Sequence, residues 1–167
     1  LPVLVWIHGG AYIAGSPISP WYDGGSFNRR GVVVVTVGYR LGVTGFGFVE
    51  GAPANRAVHD WLRALEWVQE NIAAFGGDPT RVTIAGQSAG GGAVLTLLGI
   101  EGIGRLVTQA ITMSPVTGLS SPDDAGRLVV DVARRLNVDP TPAGLGTVSR
   151  AALADIPWTL PNVFGAA

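Results

Sequence analysis

Residues 84–92 read IAGQSAGGG, a single serine set among alanines and glycines directly after an apolar run. The run Val82–Ala85 predicts a short strand and Ala89–Leu98 predicts a helix, so Ser88 stands on the turn between them. Gly86-Gln87-Ser88-Ala89-Gly90 fits the pattern G-x-S-x-G. A strand that enters a helix through so sharp a turn strains the serine's backbone. It also crowds the residues two before and two after it, and glycine removes the clash. The first N–H groups of the helix and its positive dipole end face this turn. The Ala89 N–H therefore points to where a negative oxygen would form beside the Ser88 hydroxyl. Ser88 is the candidate nucleophile. The plain alternative is a glycine-rich strand–helix turn with an incidental serine.

A second motif agrees with the first. Val3–Ile7 is an apolar, β-branched run, read as a buried strand, and His8-Gly9-Gly10 follows it. A loop of this kind supplies further backbone N–H donors to an oxyanion hole, and side chains there would block the substrate's carbonyl oxygen. Gly9, Gly10 and Ala89 are thus the candidate donors. His8 is read as structural, hydrogen-bonded beneath the loop, because in this arrangement the catalytic acid and base follow the serine in the chain. His59, at a helix start, is read as a surface or half-buried residue. Tyr12, Gln87 and Ser114 are the candidate substrate contacts. Trp21 and Tyr22 lie in the same loop as Tyr12 and are candidates to line the site.

The rest of the chain predicts an α/β fold. Val32–Tyr39 (VVVVTVGY) is apolar at consecutive positions, as in a parallel strand covered on both faces. Val58–Ala74 reads as a helix with Trp61, Leu65, Val68 and Ile72 on one stripe, ended by Gly76-Gly77, with a turn at Asp78-Pro79. Gln109–Met113 reads as a further strand. Asp123–Leu136 reads as a helix capped by Ser121, with Asp123 and Asp124 as capping charges, and Ser149–Asp155 as a short one. The stretch from Pro157 shows no usable period. Trp6, Trp61 and Trp67 are read as core. Gly38-Tyr39-Arg40-Leu41-Gly42 is read as a pocket wall, or as a loop held by an ion pair such as Arg40 with Asp60. Strands alternating with helices predict a mostly parallel sheet with helices on both faces, its ligands beyond the strands' carboxyl ends. Both glycine motifs lie there.

Composition narrows the function. Hydrophobic residues are 47% and charged residues 14% of 167, which suits a folded core and not a disordered chain. The net charge of −1 leaves no electrostatic footprint for nucleic acid. All 11 basic residues are arginine, which excludes a lysine-bearing phosphate loop. With no cysteine and two histidines, no metal site is expected. No apolar run approaches the roughly 20 residues of a membrane-spanning helix. The opening LPVLVWI reads as part of a strand and not as a signal peptide.

The stretches PVLVWIHGGAYIAGS, VVVVTVGYRLGVTGF and DWLRALEWVQENIAAFGGDPTRVTIAGQSAGG, with the weaker TQAITMSP, resemble the type-B carboxylesterase family, the cholinesterase-like branch of the α/β-hydrolase fold. The resemblance covers residues 2–116 densely and continues loosely through 123–136. It implies a carboxylic ester hydrolase with Ser88 as acyl-forming nucleophile, a small-molecule ester substrate, and no cofactor. It also implies one partial domain over residues 1–167, with a front section and the part bearing the acid and histidine lying outside. The chain departs from the family where Gly38 replaces a usual Asn, where Asn55–Trp61 replaces N-x-G-L-x-D-Q, at Gln87 (often Glu), and at Pro115 (usually Gly). Two other readings remain open: a non-catalytic cholinesterase-like binding module, and an esterase like hormone-sensitive lipase, which shares only HGG and GxSxG.

Overall fold

In the computed structural model, which describes residues 1–118 and 120–156, four strands form one parallel sheet in the order β2-β1-β3-β4. They are β1 (Val3–Ile7), β2 (Val33–Val37), β3 (Val82–Gln87) and β4 (Gln109–Met113). The helices are α1 (Gly25–Asn28), α2 (Gly42–Phe46), α3 (Arg56–Asn71), α4 (Ala89–Leu98), α5 (Pro122–Leu136), α6 (Pro142–Gly146) and α7 (Arg150–Ala154). The stretch from Pro157 lies outside the described residues.

Register sets up the site. Ile7 lies beside Val37 on one side and Gly86 on the other, and Gln87 lies beside Met113. The carboxyl ends of all four strands therefore stop at one level, and the segments opening at His8 and Ser88 leave it from neighbouring strands. Val3, Val5, Ile7, Val82 and Ile84 are buried, as expected for central parallel strands.

Two strands differ in length from expectation. Val32–Tyr39 shortens to Val33–Val37 because Tyr39 turns out of the ladder. Its ring stacks on His8 at 4.4 Å and its hydroxyl donates to the His8 carbonyl at 2.7 Å. β3 runs to Gln87 instead of stopping at Ala85, because Gly86 and Gln87 still pair with β1 or β4.

The long helix α3 begins two residues before the expected Val58, and Ile72–Phe75 continues it as a tighter 3-10 turn to Gly76, whose φ is 78°. Trp61, Leu65, Val68 and Ile72 are buried, as their spacing predicts. Trp67 is a correction: it is 43% exposed, with its ring 5.9 Å from Phe75. At about 100° per residue it stands roughly 240° round the helix from Trp61, off the buried stripe. Trp6 is half-buried and sits 5.4 Å from the Tyr22 ring. Asp78 makes the expected turn, accepting from the Thr80 N–H and hydroxyl. Those bonds hold its carboxyl below the usual range.

The chain divides into two compact units, Leu1–Tyr39 with Val58–Thr117, and Arg40–Ala57 with the chain from Gly118. The first contains the sheet and α4. The second has its own small core of Val43, Val49, Val129, Val132 and Ile156. Its helix α5 is capped as predicted: the Asp124 N–H donates to Ser121 Oγ, and the Ser121 hydroxyl and Arg127 hold the Asp124 carboxyl low. Arg56 ties the loop around α2. Its guanidinium donates to the carbonyls of Val43, Thr44, Gly47 and Pro53 at 2.7–2.9 Å.

Candidate active site

Ser88 has φ 56° and ψ −121°, a conformation that side-chain-bearing residues avoid and that costs of order 1–3 kcal/mol. Three backbone bonds hold it there. Its N–H donates to the Met113 carbonyl at 3.0 Å, and its carbonyl accepts from Gly92 at 2.9 Å and Val116 at 3.2 Å. The flanking glycines are required by contact. A Cβ on Gly90 would overlap the Ile7 carbonyl oxygen, and one on Gly86 would overlap the Gly90 carbonyl. The turn therefore packs backbone against backbone across β1, β3 and α4. Ala89 opens α4, so its N–H has no acceptor within the helix and adds to the positive end of the dipole.

Gly9 is buried against this turn. A Cβ built on it would stand 2.8 Å from the Gln87 carbonyl oxygen and 3.4 Å from Ser88 Cβ. The next three residues all have left-handed backbone: Gly10 (φ 118°), Ala11 (φ 55°) and Tyr12 (φ 62°). The Gly10 carbonyl closes the turn by accepting from Ile13 and Ala14. Among the described residues, the amides of Gly9, Gly10 and Ala11 donate to no backbone carbonyl. Successive N–H groups in such a turn make a concave, anion-attracting surface. Sequence reasoning missed Ala11, because alanine carries no signal for left-handed backbone.

His8 lies beneath the loop, 1% exposed. Its Nδ1 is 2.7 Å from the Gly9 carbonyl oxygen, so Nδ1 carries the proton and donates. A Cβ at Gly15 would collide with its ring. His59 is exposed on α3.

The other expected contacts are scattered around the turn. Gln87 is exposed at the end of β3, and Ser114 is exposed with φ 44°, directly after the Met113 carbonyl that holds Ser88. Tyr12 is half-buried, its hydroxyl beside Gly92 and its ring 6.3 Å from Trp61. Burial pushes its phenol up to about 12. Tyr22 is turned onto Trp6, while Trp21 is 93% exposed.

Comparison with known proteins places this arrangement. Residues 1–143 match the model of the carboxylesterase family. A probable N-octanoylanthranilate hydrolase from Rhodococcus erythropolis is 44% identical over 144 residues, covering 84% of this chain and 32% of that protein. The para-nitrobenzyl esterase of Bacillus subtilis is 47% identical over 119 residues, covering 68% of this chain and 24% of that protein. The chain thus spans a third or less of these relatives. Among solved structures, a Geobacillus stearothermophilus carboxylesterase superposes with a TM-score of 0.80 at 38% identity, over 92% of this chain and 35% of that one. A thermophilic para-nitrobenzyl esterase gives 0.83 at 38% identity, over 92% of this chain and 33% of that one. The sheet, the elbow at Ser88 and these likenesses agree: the chain belongs to the carboxylesterase family.

Proposed function

We propose that the protein is a carboxylic ester hydrolase in which Ser88 is the nucleophile and small-molecule esters are the substrates. The observation that carries the reading is Ser88 at φ 56° with the Gly9 backbone packed against it. Strain of this kind persists only where the surroundings enforce it, and it concentrates at functional sites. Of the readings open from the sequence, catalysis by Ser88 is the one that gives this strain a role.

Ser88 Oγ attacks the ester carbonyl carbon and gives up its proton to a histidine base. His8 is engaged beneath the loop and His59 is exposed on α3, so neither serves as that base; the family resemblance puts the base and its acid outside residues 1–167. The carbonyl oxygen becomes an oxyanion and accepts from the N–H groups of Gly9, Gly10 and Ala89, with Ala11 a further donor. Collapse expels the alcohol, which takes the proton from the base. Water then attacks the acyl-enzyme by the same route and releases the acid. Tyr12, Gln87 and Ser114 border the space the substrate enters. A fluorophosphonate probe tests the assignment on the full-length enzyme: the adduct maps to Ser88, and an adduct that persists in Ser88→Ala defeats it.

The oxyanion loop gives a second expected result. Gly10 has φ 118° and its Cβ position overlaps the Ala14 carbonyl, so any side chain deforms the loop. Gly10→Ala in the full-length enzyme should lower kcat by about 10²–10³-fold, the usual effect of losing an oxyanion donor. The melting temperature should fall too, because φ 118° and the Ala14 carbonyl strain any side chain at this position, so kcat is taken per folded enzyme. Nitrophenyl-ester kinetics and a thermal melt check both, and an unchanged kcat would mean the loop does not face the reaction.

A further inference from the structure

We propose that Tyr12 and Gly92 form a positioning pair that seats the loop Gly9–Tyr12 on helix α4, and so sets the spacing between the oxyanion donors and Ser88. The inference rests on the reading of Ser88 as nucleophile. Three consecutive left-handed residues, two of them bearing side chains, are not a conformation the loop keeps by itself. Something outside it must hold it.

The Tyr12 hydroxyl lies where a Cβ of residue 92 would be, and the Val116 carbonyl oxygen lies almost as close to the same point, so glycine there lets both rest on the helix. Gly92 is also the residue whose N–H closes the first turn of α4 on the Ser88 carbonyl, at 2.9 Å. The phenol therefore touches the turn that holds the nucleophile. The neighbouring glycines serve other contacts: Gly90 faces the Ile7 carbonyl, and Gly91 faces Thr112 Oγ1 and the Met113 carbonyl, each 3.0 Å from its Cβ position. Of these three glycines, Gly92 is the one whose Cβ position meets Tyr12 of the loop.

The other end of the tyrosine is anchored as well. Its ring is 6.3 Å from Trp61, which is buried and lies edge-on to Tyr39 at 5.3 Å, and Tyr39 stacks on His8. His8, Tyr39, Trp61 and Tyr12 thus make a closed chain of ring contacts that begins and ends on the same loop. The half-buried phenol keeps its proton well above neutral pH, so the hydroxyl stays an uncharged polar group against the helix.

A double-mutant cycle in the full-length enzyme tests the pair, with Gly92→Ala, Tyr12→Phe and their combination. Gly92→Ala should lower kcat about tenfold while KM changes less than about twofold, because the groups that act in the transition state are displaced and the substrate's remaining contacts are not. In the Tyr12→Phe background one of the two overlapping oxygens is gone and the Val116 carbonyl remains, so the same substitution should cost at least about threefold less than in the parent. An equal cost in both backgrounds overturns the pair. If Gly92→Ala alone does not accumulate as folded protein, recovery of soluble enzyme in the Tyr12→Phe background supports the pair. If it accumulates in neither background, where the Val116 carbonyl alone can block folding, Tyr12→Ala decides: kcat lowered about tenfold with KM nearly unchanged supports the pair, and an unchanged kcat overturns it. Ser88→Ala run alongside separates the two claims. Parent turnover that survives Ser88→Ala defeats the functional reading. Parent turnover that needs Ser88, with no coupling between Tyr12 and Gly92, defeats the pair alone.

Discussion

Ser88→Ala in the full-length enzyme should lower kcat for a nitrophenyl ester by about 10⁴-fold or more, since loss of a serine nucleophile leaves only the binding site and oxyanion donors to act. The melting temperature should not fall, because alanine keeps the Cβ and all three backbone bonds of the turn. Ser88→Gly adds a sharper expectation. The pair φ 56° and ψ −121° suits glycine and strains any residue with a side chain, so this variant should be inactive and also more stable by about 1 kcal/mol. Equal stability in the parent and Ser88→Gly, by chemical denaturation, would mean that no strain is stored at the nucleophile.

The second large effect is on folding. Gly90→Ala places a methyl group on the Ile7 carbonyl oxygen and 3.0 Å from the His8 carbonyl carbon. Both are backbone atoms of the central strand and its exit and have little room to yield. Relief requires α4 to lift off the sheet, so the substitution should cost more than about 3 kcal/mol and leave little soluble protein. Gly104→Ala is the matched control: nothing lies within 4 Å of its Cβ position, and its melting temperature should stay near that of the parent. Soluble yield and thermal melts of the two variants decide the matter. A well-folded Gly90→Ala would mean that α4 does not pack on β1 as closely as described.

Much of this architecture is legible in local sequence. Val3–Ile7 and Gln109–Met113 are strands with the bounds read from apolar runs, and α4 matches its expected span. Runs followed directly by His8-Gly9-Gly10 or by a glycine-flanked serine mark strand ends, because the glycines are there to let backbones meet. What local pattern could not carry is set by distant partners. Tyr39 leaves its strand to reach His8, thirty-one residues away in the chain, and nothing in VVVVTVGY announces that contact. Trp67 looks like core by residue type, and only its angle on the helix places it outside. Ala11 and Tyr12 have left-handed backbone although neither residue favours it, since the loop is held by α4 and not by its own propensities. The four carbonyls gathered by Arg56 depend likewise on a loop shape that charge alone does not encode.

Trapping the acyl-enzyme tests the role of Ser88 most directly. Full-length enzyme is mixed with excess nitrophenyl ester, quenched with acid within the first turnover, digested and analysed by peptide mass. A burst of nitrophenol and an acyl group on the peptide containing Ser88 are expected, both lost in Ser88→Ala. An acyl group on another residue, or hydrolysis without any acylated peptide and unaffected by Ser88→Ala, would contradict that role.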